Sequence, residues 1–268
     1  PSSEYNETDS KAIDELDYIL SEAVRSQLIS DVSIGAFLSG GIDSPLICHY
    51  INQESPQLET FTIGSSDPEY DESNTAKDYS DSLGVTNHLY IYSNEDLLND
   101  LDNHFKAYSE PFGDYSSLPS FQVCKNAKSK FTVVLGGDGG DEIFWGYPRF
   151  QRFTSHRSWF NFNMPSRMLL ASICRKLGVN VSYGISANSV QEWALGHHSH
   201  NNFDILDKIL PDNSNSNELL KIYDDTIKLK GRKDILHWLR RNEFYGHLQC
   251  VLLKMDRASM YHGLEVRV

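Results

Sequence analysis

One stretch constrains the chain more than any other: GAFLSGGIDSPLICHY, from Gly35 to Tyr50. An apolar run over residues 34–38 halts at Ser39-Gly40-Gly41, and a second apolar run begins after Asp43 and Ser44. Glycines between a buried strand and a helix let the backbone approach a ligand. Their N–H groups and the helix N-terminus together favour an anion. Ser39 and Ser44 add hydroxyls. Asp43 would repel a phosphate unless a divalent cation lay between them, and Mg²⁺ is usually held by one or two carboxylates plus phosphate oxygens. The lysine of the G-x-x-x-x-G-K-S/T loop is missing, and the glycine spacing is not G-x-G-x-x-G. The plainer alternative is a Gly-Gly turn with Asp43 capping the helix.

The surrounding pattern alternates. Helical spacing over Ser10 to about Asp31 precedes the strand at 32–38, and a helix is expected over 42–53. Strands at 58–64, 87–92 and 131–135 are separated by helices at 72–83, 95–105 and 118–129. Such alternation predicts an α/β fold with a parallel sheet, whose ligands bind at the carboxyl ends of the strands. After Gly146 no further strand is expected. Helices are read at 165–177, 187–196, 203–210, 216–230 and 233–261, with a polar linker at 211–218. The expected organisation is an α/β core over 10–150 and a helical region over 151–268.

A second stretch, LGGDGGDEIFWGYPRF (135–150), follows the strand at 131–135. Asp138, Asp141 and Glu142 lie within five residues, which is costly unless a cation, a substrate ammonium or distance separates them. The alternative is a solvated acidic turn, against which the apolar IFWGY argues.

S-G-G-x-D-S is similar to the pyrophosphate (PP) loop of ATP pyrophosphatases, which split ATP between the α- and β-phosphates. Together with TFTIG and YDES (60–64, 70–73), EPFGDYSSLPSF (110–121) and LLKMDRASMYHGLEVRV (252–268), the two stretches resemble the synthetase domain of glutamine-dependent asparagine synthetases. The resemblance covers most of 10–150 and the C-terminal segment, and 151–235 contributes nothing to it. It implies the adenine-nucleotide α-hydrolase fold and ATP-dependent amidation of a carboxylate through an acyl-adenylate. Aspartate to asparagine, with release of AMP and pyrophosphate, is the expected reaction.

By the same resemblance Ser39, Gly40, Gly41 and Ser44 would hold phosphates. Leu38, Ile63 and Gly136 would frame adenosine, and Gly137 would lie beside the α-phosphate. Asp43 and Asp141 would bind Mg²⁺, and Asp138 would face the acyl-adenylate and the incoming nitrogen. Asp256, Arg257, Glu265 and Arg267 would form bracing ion pairs under the pyrophosphate end. Ammonia would come from a glutaminase domain that this chain does not hold. The family also carries a lysine beyond the position where this sequence ends, so nucleotide binding is expected with weak turnover.

Composition narrows the alternatives. A net charge of −13 disfavours nucleic acid as a partner. Cys48, Cys124, Cys174 and Cys250 form no C-x-x-C pair, which fits free thiols in a reducing, cytoplasmic setting. No stretch approaches the ~20 apolar residues of a membrane span. The three histidines of GHHSHNN (196–202) fit a surface loop better than a metal site, and Trp145, Trp159, Trp193 and Trp238 fit a core. Three other readings stay open: a ligase or cyclase for another carboxylate, a tRNA- or nucleotide-modifying pyrophosphatase, and a nucleotide-binding domain without turnover. Oligomeric state is not legible.

Overall fold

The computed structural model describes residues 8–156, 162–177, 189–198, 223 and 232–268. The helix expected at 203–210, most of that at 216–230, the linker at 211–218, the side chains of 196–202 and Trp159 lie outside the described residues.

The elements follow the expected alternation. They run α1 (Asp9–Gln27), β1 (Ile34–Phe37), α2 (Asp43–Glu54), β2 (Glu59–Ser65), α3 (Ser73–Leu83) and β3 (Thr86–Tyr92). There follow α4 (Asn94–Asn99), α5 (Leu101–Tyr108), α6 (Ser117–Ala127) and β4 (Val133–Leu135). The single helix expected over 95–105 is two, because Asp100 turns away to accept hydrogen bonds from Gln122 at 2.7 Å and Lys125 at 2.5 Å on α6.

The sheet has the order β3-β2-β1-β4-β5, and every pair is parallel. This is the α/β architecture of the adenine-nucleotide α-hydrolases. β5 (Glu265–Arg267) corrects the expectation that no strand follows Gly146. It pairs Val133 with Glu265 and Leu135 with Arg267. Gly136 extends that edge by donating its N–H to the Arg267 carbonyl at 2.8 Å.

Both sheet faces are covered. Ala36, Leu38 and Leu135 pack with Val24, Cys48, Ile51 and Ala76 from α1, α2 and α3. Phe61 and Val134 pack with Tyr108, Cys124, Ala127, Met255 and Leu264 on the other face. Period-two alternation explains why Val134 and Leu135 serve opposite cores.

Two compact units divide the chain. One runs to Gly139 and takes up Val251–Val268, and the other is Gly140–Cys250. The C-terminal segment thus sits with the sheet, where the sequence grouped it with the helical region, because β5 and Leu264 belong to that core. The second unit holds α7 (Gly140–Phe144), α8 (Pro148–His156), α9 (Met164–Lys176), α10 (Val190–His198) and α11 (Arg232–Tyr245). Its core gathers Phe150, Phe153, Trp193, Ile235, Trp238 and Leu239. The helix expected over 233–261 breaks at Gly246, after which α12 (His247–Tyr261) begins.

Candidate functional site

The turn after β1 is held by its own serines. The Ser39 N–H donates to Ser44 Oγ at 2.9 Å, the two hydroxyls share a 2.9 Å hydrogen bond, and the Gly41 N–H donates to Ser39 Oγ at 3.2 Å. The N-terminus of α2 carries no side-chain cap, and Ile42, not Asp43, occupies the cap position. Asp43 opens the first helical turn, half-buried, one residue inside the cap position that the plainer alternative gave it.

The turn after β4 lies against this one. A Cβ on Gly137 would stand 2.8 Å from the Ser44 nitrogen and 3.1 Å from the Asp43 carbonyl carbon. Only a glycine lets the two backbones come so close. A Cβ on Gly136 would stand 3.4 Å from Asp138 Oδ2, so the Asp138 carboxylate folds back over its own turn. Burial, with the charge of Asp138 adding to it, pushes the Cys124 thiol up to about 12, which sets Asp138 on the α6 side. Gly139, at φ +96°, takes the left-handed backbone that follows Asp138.

The turn after β2 supplies a third edge. Asp71 accepts from the N–H groups of Ser65 and Ser73, each at 3.2 Å, and from the Ser73 hydroxyl at 2.8 Å. Gly64 makes room for it, since a Cβ there would meet Asp71 Oδ1 at 2.6 Å. With Asp71 fixed, the neighbouring Glu72 accepts the Gly40 N–H at 3.2 Å. The sequence showed YDES as a motif but not that Glu72 meets the glycine turn.

Leu38 and Ile63 flank these turns. Leu38 is buried, its N–H donates to the Phe61 carbonyl at 3.0 Å, and its own carbonyl accepts from Thr62 Oγ1 at 2.8 Å. What its backbone can still offer is the carbonyl's second lone pair. Ile63 is half-buried against the second core. Asp141 falls in the other compact unit, in the first turn of α7. There Gly146 lies against its carboxylate, so closely that a Cβ would overlap Asp141 Oδ1.

The C-terminal motif braces the first unit, through partners the sequence had not paired. Arg257 reaches Glu110 at 2.7 Å and donates to the Tyr108 carbonyl. Lys254 donates to Ser116 Oγ at 2.7 Å and pairs with Asp114 at 3.2 Å. Arg267 pairs with Glu265 at 2.7 Å and also donates to the carbonyls of Gln27 and Ile29.

The donor set fits a hard cation brought in with phosphate. Among the described residues no group of three or more His, Cys, Asp or Glu could hold a metal by itself. Mg²⁺ is commonly bound by one or two carboxylates completed by phosphate oxygens, and Asp43 offers a half-buried carboxylate on the glycine turn. Among the described residues no helix is long and apolar enough to cross a membrane.

The fold and the turns after β1, β2 and β4 define the adenine-nucleotide α-hydrolase class. Within it, residues 15–268 match the sequence model of the asparagine synthase family, and the chain belongs to that family. It is 40% identical over 139 residues to a putative glutamine-hydrolysing asparagine synthetase 2 of Methanocaldococcus jannaschii, covering 51% of this chain and 27% of that protein. It is 28% identical over 278 residues to the glutamine-hydrolysing asparagine synthetase 1 of Bacillus subtilis, covering 96% of this chain and 42% of the relative. The chain thus spans less than half the length of these relatives. A solved U34-tRNA thiolase, NcsA of Methanococcus maripaludis, aligns at a TM-score of 0.40 and 13% identity over 84% of this chain and 85% of that one.

Proposed function

We propose that the chain carries the ATP-using half of a carbon–nitrogen ligase, and that its substrate carboxylate is aspartate. The observation that carries this reading is the contact of Gly137 with the Asp43–Ser44 peptide, which brings two glycine turns to one end of the sheet. Phosphates would lie against Ser39, Gly40, Gly41 and Ser44, with Gly137 beside the α-phosphorus. Adenosine would rest on Leu38, Ile63 and Gly136. A bound Mg²⁺ would neutralise charge on the departing pyrophosphate, with Asp43 among the groups that hold it.

The reaction has two halves. A carboxylate oxygen of aspartate attacks the α-phosphorus, and the bond to the bridging oxygen of the β-phosphate breaks with loss of pyrophosphate. Ammonia then attacks the acyl carbon of the adenylate, and AMP leaves. Asp138 is half-buried on the near side of the same end of the sheet, suited to orient ammonia and accept its proton. The names of the relatives support glutamine as the nitrogen source, through a glutaminase domain that would sit elsewhere in the full protein. Four free thiols, two of them buried, fit a cytoplasmic setting.

Pyrophosphate release by the full-length protein, with and without aspartate, tests the reading. Release that depends on aspartate supports it. Release that depends on another carboxylate replaces the substrate, and ATP binding without release leaves a binding domain.

A further inference from the structure

Resting on that ATP-site reading, we propose that Glu72 makes the glycine turn selective for cation-complexed polyphosphate over cation-free polyphosphate. Gly40 offers one of the backbone donors of the turn, and that donor is engaged by Glu72 Oε2 at 3.2 Å. A carboxylate therefore stands where an entering phosphate oxygen would seek the same N–H. The side chain is also packed there, since a Cβ on Gly40 would lie 2.9 Å from Glu72 Cβ and 3.2 Å from Thr75 Cβ.

The placement is built by its neighbours. Glu72 holds the N-cap position of α3 yet makes no capping hydrogen bond to that helix. Asp71 instead staples the turn to the end of β2 through Ser65 and Ser73, in the room left by Gly64. Two neighbouring acids thus divide their tasks: Asp71 anchors, and Glu72 projects to the turn.

Electrostatics then separates two forms of one ligand. Bare ATP carries about four negative charges and would meet Asp43 on the glycine turn and Glu72 projecting onto it, with nothing between. A bound divalent cation cancels about half of that charge and can lie toward Asp43. Glu72 would then be displaced from Gly40 at little cost. A carboxylate that repels the wrong form sharpens selectivity without adding affinity for the right one.

The test is equilibrium titration of the full-length protein and its Glu72→Gln and Glu72→Ala variants with ATP, once in EDTA and once with saturating Mg²⁺. Glutamine keeps an acceptor for the Gly40 N–H and removes the charge; alanine removes both. A like charge ~4 Å away at an exposed site corresponds to about a fivefold change in affinity. Cation-free ATP is expected to bind about five- to tenfold more tightly to both variants, with Mg·ATP changing less than about twofold. Normal Mg·ATP binding with no gain for cation-free ATP overturns the inference and leaves the ATP site standing. Weaker Mg·ATP binding in both variants also overturns it, by making Glu72 a ligand of the cation. If the unsubstituted protein binds neither form, the ATP-site reading falls and the inference falls with it.

Discussion

Gly137 lies so close to Ser44 that a Cβ on the glycine would stand 2.8 Å from the serine's backbone nitrogen. The nearest atoms belong to the Asp43–Ser44 backbone, so no rotation of a side chain could relieve an added methyl group. The end of β4 is thereby tied to the start of α2.

Gly137→Ala should therefore push the two turns apart. Overpacking of this kind costs about 1–3 kcal/mol. A lower melting temperature and at least about a tenfold loss of Mg·ATP affinity are expected. Gly113→Ala is the control, because a Cβ there meets nothing within 4 Å. Calorimetry on both variants decides the point: equal affinities would remove the role given to the contact.

In the second unit, Arg149 donates through Nε and Nη2 to the two oxygens of Glu243, at 2.9 and 2.7 Å, and its guanidinium lies 3.7 Å from the Tyr147 ring centroid. Glu243 is only 1% exposed. Removing one partner leaves the other charge buried, which commonly costs about 3–5 kcal/mol. Arg149→Met and Glu243→Gln should each lower the urea midpoint sharply, and the double variant should lose less than the sum. Arg149→Lys should rescue little, since an ammonium cannot form the two-pronged pair or stack on the ring. Additive losses in the double variant would show that the pair is not coupled.

Acid should loosen the first unit through two carboxylates. At Asp114, burial favours the neutral acid, but hydrogen bonds from Ser116 and the charge of Lys254 outweigh it and hold the pKa below the ordinary value. At Asp100, burial is likewise outweighed, by Lys125 and Gln122. A carboxylate whose folded pKa is depressed contributes stability that is present above its unfolded pKa, near 4, and is lost as pH falls through the folded value. The share of stability supplied by these two carboxylates, read from urea midpoints, should thus hold steady from about pH 7 to 5 and be lost below about 4, after an earlier decline from His104 and His262, whose pKa values burial lowers. Asp114→Asn should lower stability at neutral pH and flatten the acid slope. An unchanged slope in that variant would assign the acid sensitivity elsewhere.

Legibility in the sequence tracked how local each signal was. The turn at Ser39–Ser44 could be read because strand, glycines and helix follow one another directly in the chain. The five-residue α7 offers too little periodicity to separate it from a loop. β5 was missed because Glu265–Arg267 is short, charged at both ends and has no alternation long enough to see. Its partner β4 lies 132 residues earlier, since Glu265 pairs with Val133, beyond any local pattern. Glu72 and Gly146 were missed for the same reason. One meets Gly40 across the sheet edge, and the other matters only because the Asp141 carboxylate lies over it. Asp100 broke an otherwise plausible helix by serving α6 instead of its own turn.

The last prediction separates the two halves of the proposed reaction by residue. Asp43 heads α2 on the glycine turn, where, in the proposed reaction, charge would be released as pyrophosphate leaves. Asp138 sits at the end of β4, close enough to α6 for its charge to act on Cys124. Asp43→Asn should lower isotope exchange between pyrophosphate and ATP by ~10²–10³, as loss of one charge-stabilising group commonly does. Asp138→Asn should keep much of that exchange and depress amide formation, because the group it removes acts after the adenylate exists. Exchange and amide yield are to be measured on the same full-length preparations, with aspartate and ammonia supplied. If Asp138→Asn abolishes exchange while Asp43→Asn leaves it intact, the assignment is reversed: the β4 acid serves adenylation and the turn acid does not.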